Sequence, residues 1–204
     1  MIEHEQDNKQ GLKTMKIKSS EIGFDLDGVI ADTAEAFIRL ACEEHAFCSF
    51  TMEDITSFQV EDCLKIPVPV VETIFDAILR DSLTTGLQPM PGAVEVITAM
   101  TQSAPVTIIT ARPLHQPVVD WLTHFFPAPV CANLRLVAMG SHDDKARYIH
   151  EHHLHYFIDD RAETCRQLAD MAITPLVFSQ PWNRGRHDLQ SVESWQEIHS
   201  LLEL

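Results

Sequence analysis

At 204 residues, 45% apolar and 22% charged, with no apolar run long enough to span a bilayer, the chain has the makeup of one sizeable folded domain with room for a small insertion. Fifteen basic residues against thirty acidic ones leave a formal charge of −15, a field that disfavours nucleic-acid polymers and anionic membranes as partners. A small anion is not excluded, because it answers to the local field of a pocket.

The N-terminal stretch "MIEHEQDNKQGLKTMKIKSSE" is polar throughout and lacks the apolar centre of a secretory signal, so residues 1–18 read as a flexible tail. A short apolar strand follows at about 20–25 and stops at "FDLDG", where Asp25 and Asp27 sit two positions apart. A helix is predicted over 33–46, with Ala36, Phe37, Leu40 and Ala41 as its apolar stripe. Residues 47–66 are mixed in character, and "PVPVVETIFDAILRDSL" reads as a second helix with prolines at its start. The linker "TTGLQPMPGA" leads into the helical "GAVEVITAMTQ".

From there strands and helices alternate. Strands are predicted at 105–110, 134–139, 155–159 and 174–178. Helices are predicted at 114–125, over "DDKARYIHEHH", over "AETCRQLADM", and at 192–203. Continuous Val/Ile-rich strands separated by helices indicate an α/β fold whose parallel sheet is covered on both faces, with a helical insertion at 33–88. The five cysteines, at 42, 48, 63, 131 and 165, are odd in number and form no CxxC pair; reduced thiols in a cytoplasmic protein are expected.

Asp-Gly at 27–28 is ordinary turn chemistry, but a turn does not account for Asp25 inside the apolar run. Two neighbouring anions repel and resist desolvation unless a cation or a proton separates them. Open parallel sheets bind ligands at the carboxyl ends of their strands. Reactive side chains collect at those ends here: Asp25 and Asp27, Thr110, and the pair Asp159 and Asp160, with Lys145 in the first turn of a helix.

In order, "FDLDGVIAD", "VTIIT", a lysine before a helix and "YFIDD" resemble the four motifs of the haloacid dehalogenase-like (HAD) superfamily of phosphohydrolases, over about residues 22–180. The resemblance implies a Rossmann-like, three-layer core made of 19–32 and 89–204, a helical type 1 cap at 33–88, and Mg²⁺ at the carboxyl edge of the sheet. The segments "DLDGVIAD", "ITARP" and "PWN" look like the 5′-nucleotidase (deoxy, type C) branch. That branch has an aromatic residue after the "AD" of the first motif, for stacking on a base. Here the position is Thr33, and Phe37, Phe58 or Phe75 would have to take over.

The resemblance also implies roles. Asp25 would attack phosphorus and form an aspartyl-phosphate, and Asp27 would serve as general acid and then general base. Mg²⁺ would be held by Asp25, the backbone carbonyl of Asp27 and Asp160, with Asp159 binding through a water or orienting the cluster. Thr110 and the amide of Ala111 would donate to phosphate oxygens, and Lys145 would offset their charge. Arg112, Phe37 and Asn183 are candidate substrate contacts.

The expected activity is Mg²⁺-dependent hydrolysis of a small phosphate monoester. A sugar-phosphate mutase and a catalytically silent binding protein carry the same motifs and remain alternatives. A dehalogenase would lack Asp27, and phosphonate cleavage would need a cap lysine, of which there is only Lys65. The histidine-rich "HEHHLHYF" at 150–157 reads as an exposed helix end rather than a metal site.

Overall fold

The computed structural model describes residues 16–141 and 144–204. Strand β1 (Ile17–Lys18) and the short central strand β2 (Ile22–Phe24) come first. The turn after β2 runs into α1 (Thr33–His45), which Asp32 caps by accepting the Glu35 amide at 3.2 Å. Helix α2 (Val68–Arg80) starts directly after Pro67, with Pro69 in its first turn, where a missing N–H costs nothing. Between the two lie only 3₁₀ turns at Met52–Asp54 and Val60–Asp62.

The rest of the chain alternates. Helix α3 (Ala93–Met100) leads to β3 (Val106–Thr110), α4 (His115–Phe125), the single turn α5 (Ala128–Cys131) and β4 (Leu134–Ala138). Then come α6 (Lys145–Glu151), β5 (Tyr156–Asp159), α7 (Ala162–Ala169) and β6 (Thr174–Phe178). Strand β7 (Ser191–Val192), α8 (Trp195–Leu201) and β8 (Leu202–Glu203) close the chain.

Six strands form one sheet in the order β4-β3-β2-β5-β6-β7, every pair parallel. Side chains alternate across it. Ile108, Ile158 and Leu176 join one apolar core with Phe24 and Trp195, while Ile109 and Phe157 join another with Ile149 and Leu168. Burial on both faces is why these strands read as unbroken apolar runs. Phe24 is in register with Ile108 on one side and Ile158 on the other, and the Asp25 amide donates to the Ile158 carbonyl at 2.8 Å. Pairing of the central strand therefore brings Asp25 level with the end of β5, where Asp159 sits.

Several expectations need correction. The tail expected to run to residue 18 ends sooner: β1 pairs in parallel with β8, and Ile17 is buried in the main core. The remainder of that tail, 1–15, lies outside the described residues. The helix predicted at 192–203 is shorter, because its last residues extend to pair with β1. The expectation of five reduced thiols fails at Cys42 and Cys48, which form a disulfide. Ala46 takes a left-handed conformation that ends α1 and folds the chain back, so that the Phe47 amide donates to the Ala41 carbonyl; this return brings together two cysteines six positions apart.

The final helix secures the loop that follows the central strand. The Trp195 indole is fully buried, lies 5.1 Å from the Phe24 ring, and donates through Nε1 to the Val29 carbonyl at 2.8 Å. A Trp195→Phe substitution keeps most of the apolar contact but orphans a buried carbonyl, and is expected to cost about 1–3 kcal/mol. Truncation to alanine is expected to cost about 3–5 kcal/mol. Urea unfolding of the two variants beside the parent measures both, and equal stability of all three would show that the indole does not anchor the loop.

Candidate active site

The loop after β2 winds tightly: the amides of Ile30 and Ala31 both donate to the Leu26 carbonyl at 2.8 Å, and the Gly28 amide donates to Ala31. Gly28 has φ +71°, and a Cβ placed there would stand 2.3 Å from Oδ2 of Asp160. Only glycine lets the two motif loops approach this closely. From the far side, Gln180 Nε2 donates to the Gly28 carbonyl at 2.8 Å.

This approach gathers Asp25, Asp159 and Asp160, one carboxylate oxygen from each lying within 4.8 Å of the others. All three are buried. Lys145, in the first turn of α6, reaches between two of them, with Nζ 3.1 Å from Asp25 and 2.6 Å from Asp159. The second oxygen of Asp159 accepts the Arg161 amide at 2.8 Å. Burial pushes Asp25 up to about 7 against the pull of Lys145, with Asp159 and Asp27 adding to the rise. Burial also raises Asp160 well above the usual carboxylate range, helped by Asp159 and Asp25. For Lys145, burial works downward, but the two carboxylates outweigh it and hold the ammonium charged.

One ammonium does not balance three buried carboxylates. An all-oxygen cluster with a charge deficit is the donor set of a hard divalent cation, so these residues fit Mg²⁺. Among the described residues this is the one group of three or more such side chains placed to hold a metal. His150, Glu151, His153 and His155 of the histidine-rich segment are exposed, in keeping with a helix end.

Asp27 is held separately. Arg112 grips it with two bonds, Nε to Oδ2 at 2.9 Å and Nη2 to Oδ1 at 2.6 Å, and the Thr33 hydroxyl donates to Oδ1 at 2.6 Å. Burial alone would raise this carboxyl, but the guanidinium and the hydroxyl overcome it and hold Asp27 below the usual range. Thr33, where an aromatic was expected, thus has a structural use: its hydroxyl helps to position Asp27. Arg112 extends its third donor, Nη1, to Ser82 Oγ at 2.6 Å, and Ser82 belongs to the inserted segment. Arg112 borders the cavity, as expected of a substrate contact, but Nε and both terminal nitrogens are engaged by protein groups.

Asn183 lies beside the acids rather than among the residues that line their cavity. Its amide donates to the backbone carbonyls of Asp160 at 2.7 Å and Phe178 at 2.8 Å, and its oxygen accepts the Gln180 amide. With both ends engaged and the side chain buried, it steadies Asp160, and it lines a neighbouring cavity instead of the one above the acids. Its neighbour Trp182 donates through Nε1 to Oδ2 of Asp160 at 3.1 Å. The segment "PWN" stands out in the sequence, but the roles of Trp182 within it and of Gln180 just before it do not. Ser82 carried no local signal at all.

Above the acids opens a cavity of about 370 Å³. Asp25, Asp27, Asp160, Thr110 and Ala111 line it with Arg112 and Trp182, and the 33–88 segment contributes Phe37, Ile55, Phe58, Val71 and Phe75. Thr110 Oγ1 accepts the Arg112 amide at 3.2 Å, which leaves the hydroxyl proton to donate elsewhere. Phe37 is fully buried and stacks on Phe75 at 4.9 Å, so it serves the core and the cavity wall together.

The architecture and the sequence can be compared with known proteins. The structure resembles a HAD-superfamily hydrolase from Ehrlichia chaffeensis (TM-score 0.52, 11% identity, covering 91% of this chain and 96% of that one). It also resembles a haloacid dehalogenase-like hydrolase from Streptococcus pneumoniae (TM-score 0.50, 14% identity, 87% and 95%). A third likeness is to a candidate phosphoglycolate phosphatase from Lactobacillus plantarum (TM-score 0.56, 13% identity, 91% and 100%). At these identities the likeness establishes the fold. No curated protein matches the sequence. A family model described as "5′ nucleotidase, deoxy (Pyrimidine), cytosolic type C protein" matches residues 19–204, nearly the whole chain. With that match laid over a HAD-like fold, the chain is a phosphatase that belongs to the cytosolic type C 5′-deoxynucleotidase family.

Proposed function

We propose that the protein is a Mg²⁺-dependent phosphomonoesterase that hydrolyses a small nucleoside monophosphate through an aspartyl-phosphate on Asp25. The observation that carries this reading is the buried trio Asp25, Asp159 and Asp160 around Lys145, under a cavity walled by aromatic rings. Bound by Asp25, Asp160 and the Asp27 carbonyl, Mg²⁺ would neutralise the repulsion between these carboxylates and an incoming phosphate. Lys145 fixes Asp25 and Asp159 and leaves Asp25 able to present its second oxygen to phosphorus. Asp159 therefore orients the cluster, and Asp160, steadied by Trp182 and Asn183, is the direct ligand.

In this scheme Thr110 and the Ala111 amide donate to the phosphate oxygens from the end of β3. Asp27, ionised beside Arg112, would take up the proton that a monoanionic phosphate ester carries and pass it to the leaving oxygen, then remove one from the water that attacks the aspartyl-phosphate. The residues of 33–88 act as the cap, whose apolar wall excludes water from the reacting groups. Phe37 and Phe75 offer a stacked pair of rings in place of the aromatic missing at position 33. A small phosphate ester is the partner this cavity suits; a folded phosphoprotein would not enter it. No helix among the described residues is long and apolar enough to cross a membrane.

Three measurements test the scheme. Release of p-nitrophenol from p-nitrophenyl phosphate is expected to need Mg²⁺ and to stop on exhaustive chelation; undiminished turnover in EDTA would remove the metal from the mechanism. Asp25→Asn is expected to abolish both turnover and the trapped phospho-enzyme, whereas Asp27→Asn slows steady-state turnover by about 10²–10⁴-fold. Substantial activity in Asp25→Asn would rule out covalent catalysis at that carboxylate. Finally, Phe37→Ala is expected to raise KM for nucleoside monophosphates and leave KM for p-nitrophenyl phosphate unchanged. Equal changes for both substrates would make Phe37 a packing residue only and count against base stacking.

A further inference from the structure

Beside the active-site cavity lies a second one, of about 280 Å³, lined by Arg161, Arg166 and Arg186 together with a single carboxylate, Glu163. Such a concentration of positive charge stands out on a chain with thirty acidic residues and fifteen basic ones. Glu163 neutralises only part of it, through Nη1 of Arg166 at 3.3 Å; Nη2 of the same residue donates to the Arg186 backbone carbonyl. The Arg161 guanidinium lies over the Phe58 ring at 5.1 Å, which fixes it without cancelling its charge. The same cavity meets the first turn of α7, whose N-terminus has no side-chain cap, and a helix N-terminus favours negative charge.

The two cavities share a wall. Phe58, Gln59 and Trp182 line both. Within the first cavity a second anionic group would find Glu61 and Glu72 at the rim, while Arg112 is engaged by Asp27 and Ser82. Past the wall it would find three guanidinium groups. We propose that the arginine-lined cavity is an anion subsite that takes a second phosphate-type group next to the one being hydrolysed. That group comes either from the substrate itself, extending over Phe58 and Trp182, or from a free oxyanion. Because the cavity lies between Ser57–Gln59 of the inserted segment and Arg161–Arg166 of the core, an occupant joins the two. The inference that the subsite serves a substrate rests on the phosphomonoesterase reading; the inference that it binds an anion does not.

The test uses the full chain with Mg²⁺ and the double variant Arg166→Gln/Arg186→Gln, which leaves Asp25, Asp27, Asp159 and Asp160 and their ion-pair partners in place. Kinetics are compared for a nucleoside 5′-monophosphate, the 3′,5′-bisphosphate of the same nucleoside, and p-nitrophenyl phosphate. If the second group is the substrate's, the parent prefers the bisphosphate in kcat/KM by about 10–100-fold. The double variant loses that preference and keeps its p-nitrophenyl phosphate kinetics. If the anion is free, the bisphosphate shows no advantage. Sulfate, against chloride at equal ionic strength, then raises the Tm of the parent by about 4 °C more than that of the variant. Either result supports the subsite. Identical substrate preference and identical sulfate response in parent and variant overturn it. Should the double variant fail to fold, Arg186→Gln alone is read in the same way, since that side chain is exposed. Absence of Mg²⁺-dependent hydrolysis in every protein would overturn the hydrolase reading instead, and the sulfate titration would still decide the subsite.

Discussion

Four carboxylates meet at one edge of a parallel sheet, and their mutual repulsion is the constraint around which the molecule is built. Two cations divide them. Lys145 holds Asp25 and Asp159 at 3.1 and 2.6 Å, and Arg112 holds Asp27 in a two-pronged grip. Asp160 has neither; its partners are the Trp182 indole and, through its backbone, the Asn183 amide. Asp160 is thus the one of the four with no cationic side chain against it. Buried charges are tolerated only when paired, and the pairing here is partial by construction.

The grip on Asp27 also ties the catalytic edge to the segment above it. Arg112 donates to Ser82, whose hydroxyl donates in turn to the Ile78 carbonyl at the end of α2, and Arg39 on α1 donates to the Thr85 carbonyl at 2.8 Å. Position of the inserted helices and orientation of the acid are therefore joined through one buried guanidinium. Swapping Arg112 for lysine would keep the charge but lose the planar fork that fixes the carboxylate.

Much of this was legible in the sequence, because the strands are buried on both faces and end on reactive residues. The unbroken apolar runs "VTIIT" and "YFID" are the strands that flank β2, and Asp25, Thr110, Lys145 and Asp160, picked out at strand and helix ends, gather at one edge of the sheet. The clearest errors fell where long-range pairing overrides local pattern. Ile17–Lys18 is too short to announce itself and exists as a strand only because Leu202–Glu203 lies beside it. Cys42 and Cys48 meet because of a left-handed turn at Ala46, which nothing in an alanine signals. Asn183, a candidate substrate contact, is buried and spends three hydrogen bonds on Gln180, Asp160 and Phe178, partners that its place in the loop did not signal. Ser82 illustrates a harder limit, since its partner Arg112 is thirty positions away.

The loops that seat the acids come from the far end of the chain. Gln180 holds the Gly28 carbonyl, Asn183 holds Asp160, and Trp195 holds the Val29 carbonyl. During synthesis the nucleophile emerges among the first residues, but the partners that set its neighbourhood emerge among the last. A nascent chain that stops short of residue 183 has all four acids and both cations, and still lacks the loop that brings Asp160 to face Asp25. The acidic edge therefore has its full set of hydrogen-bond partners only once the last quarter of the chain is in place.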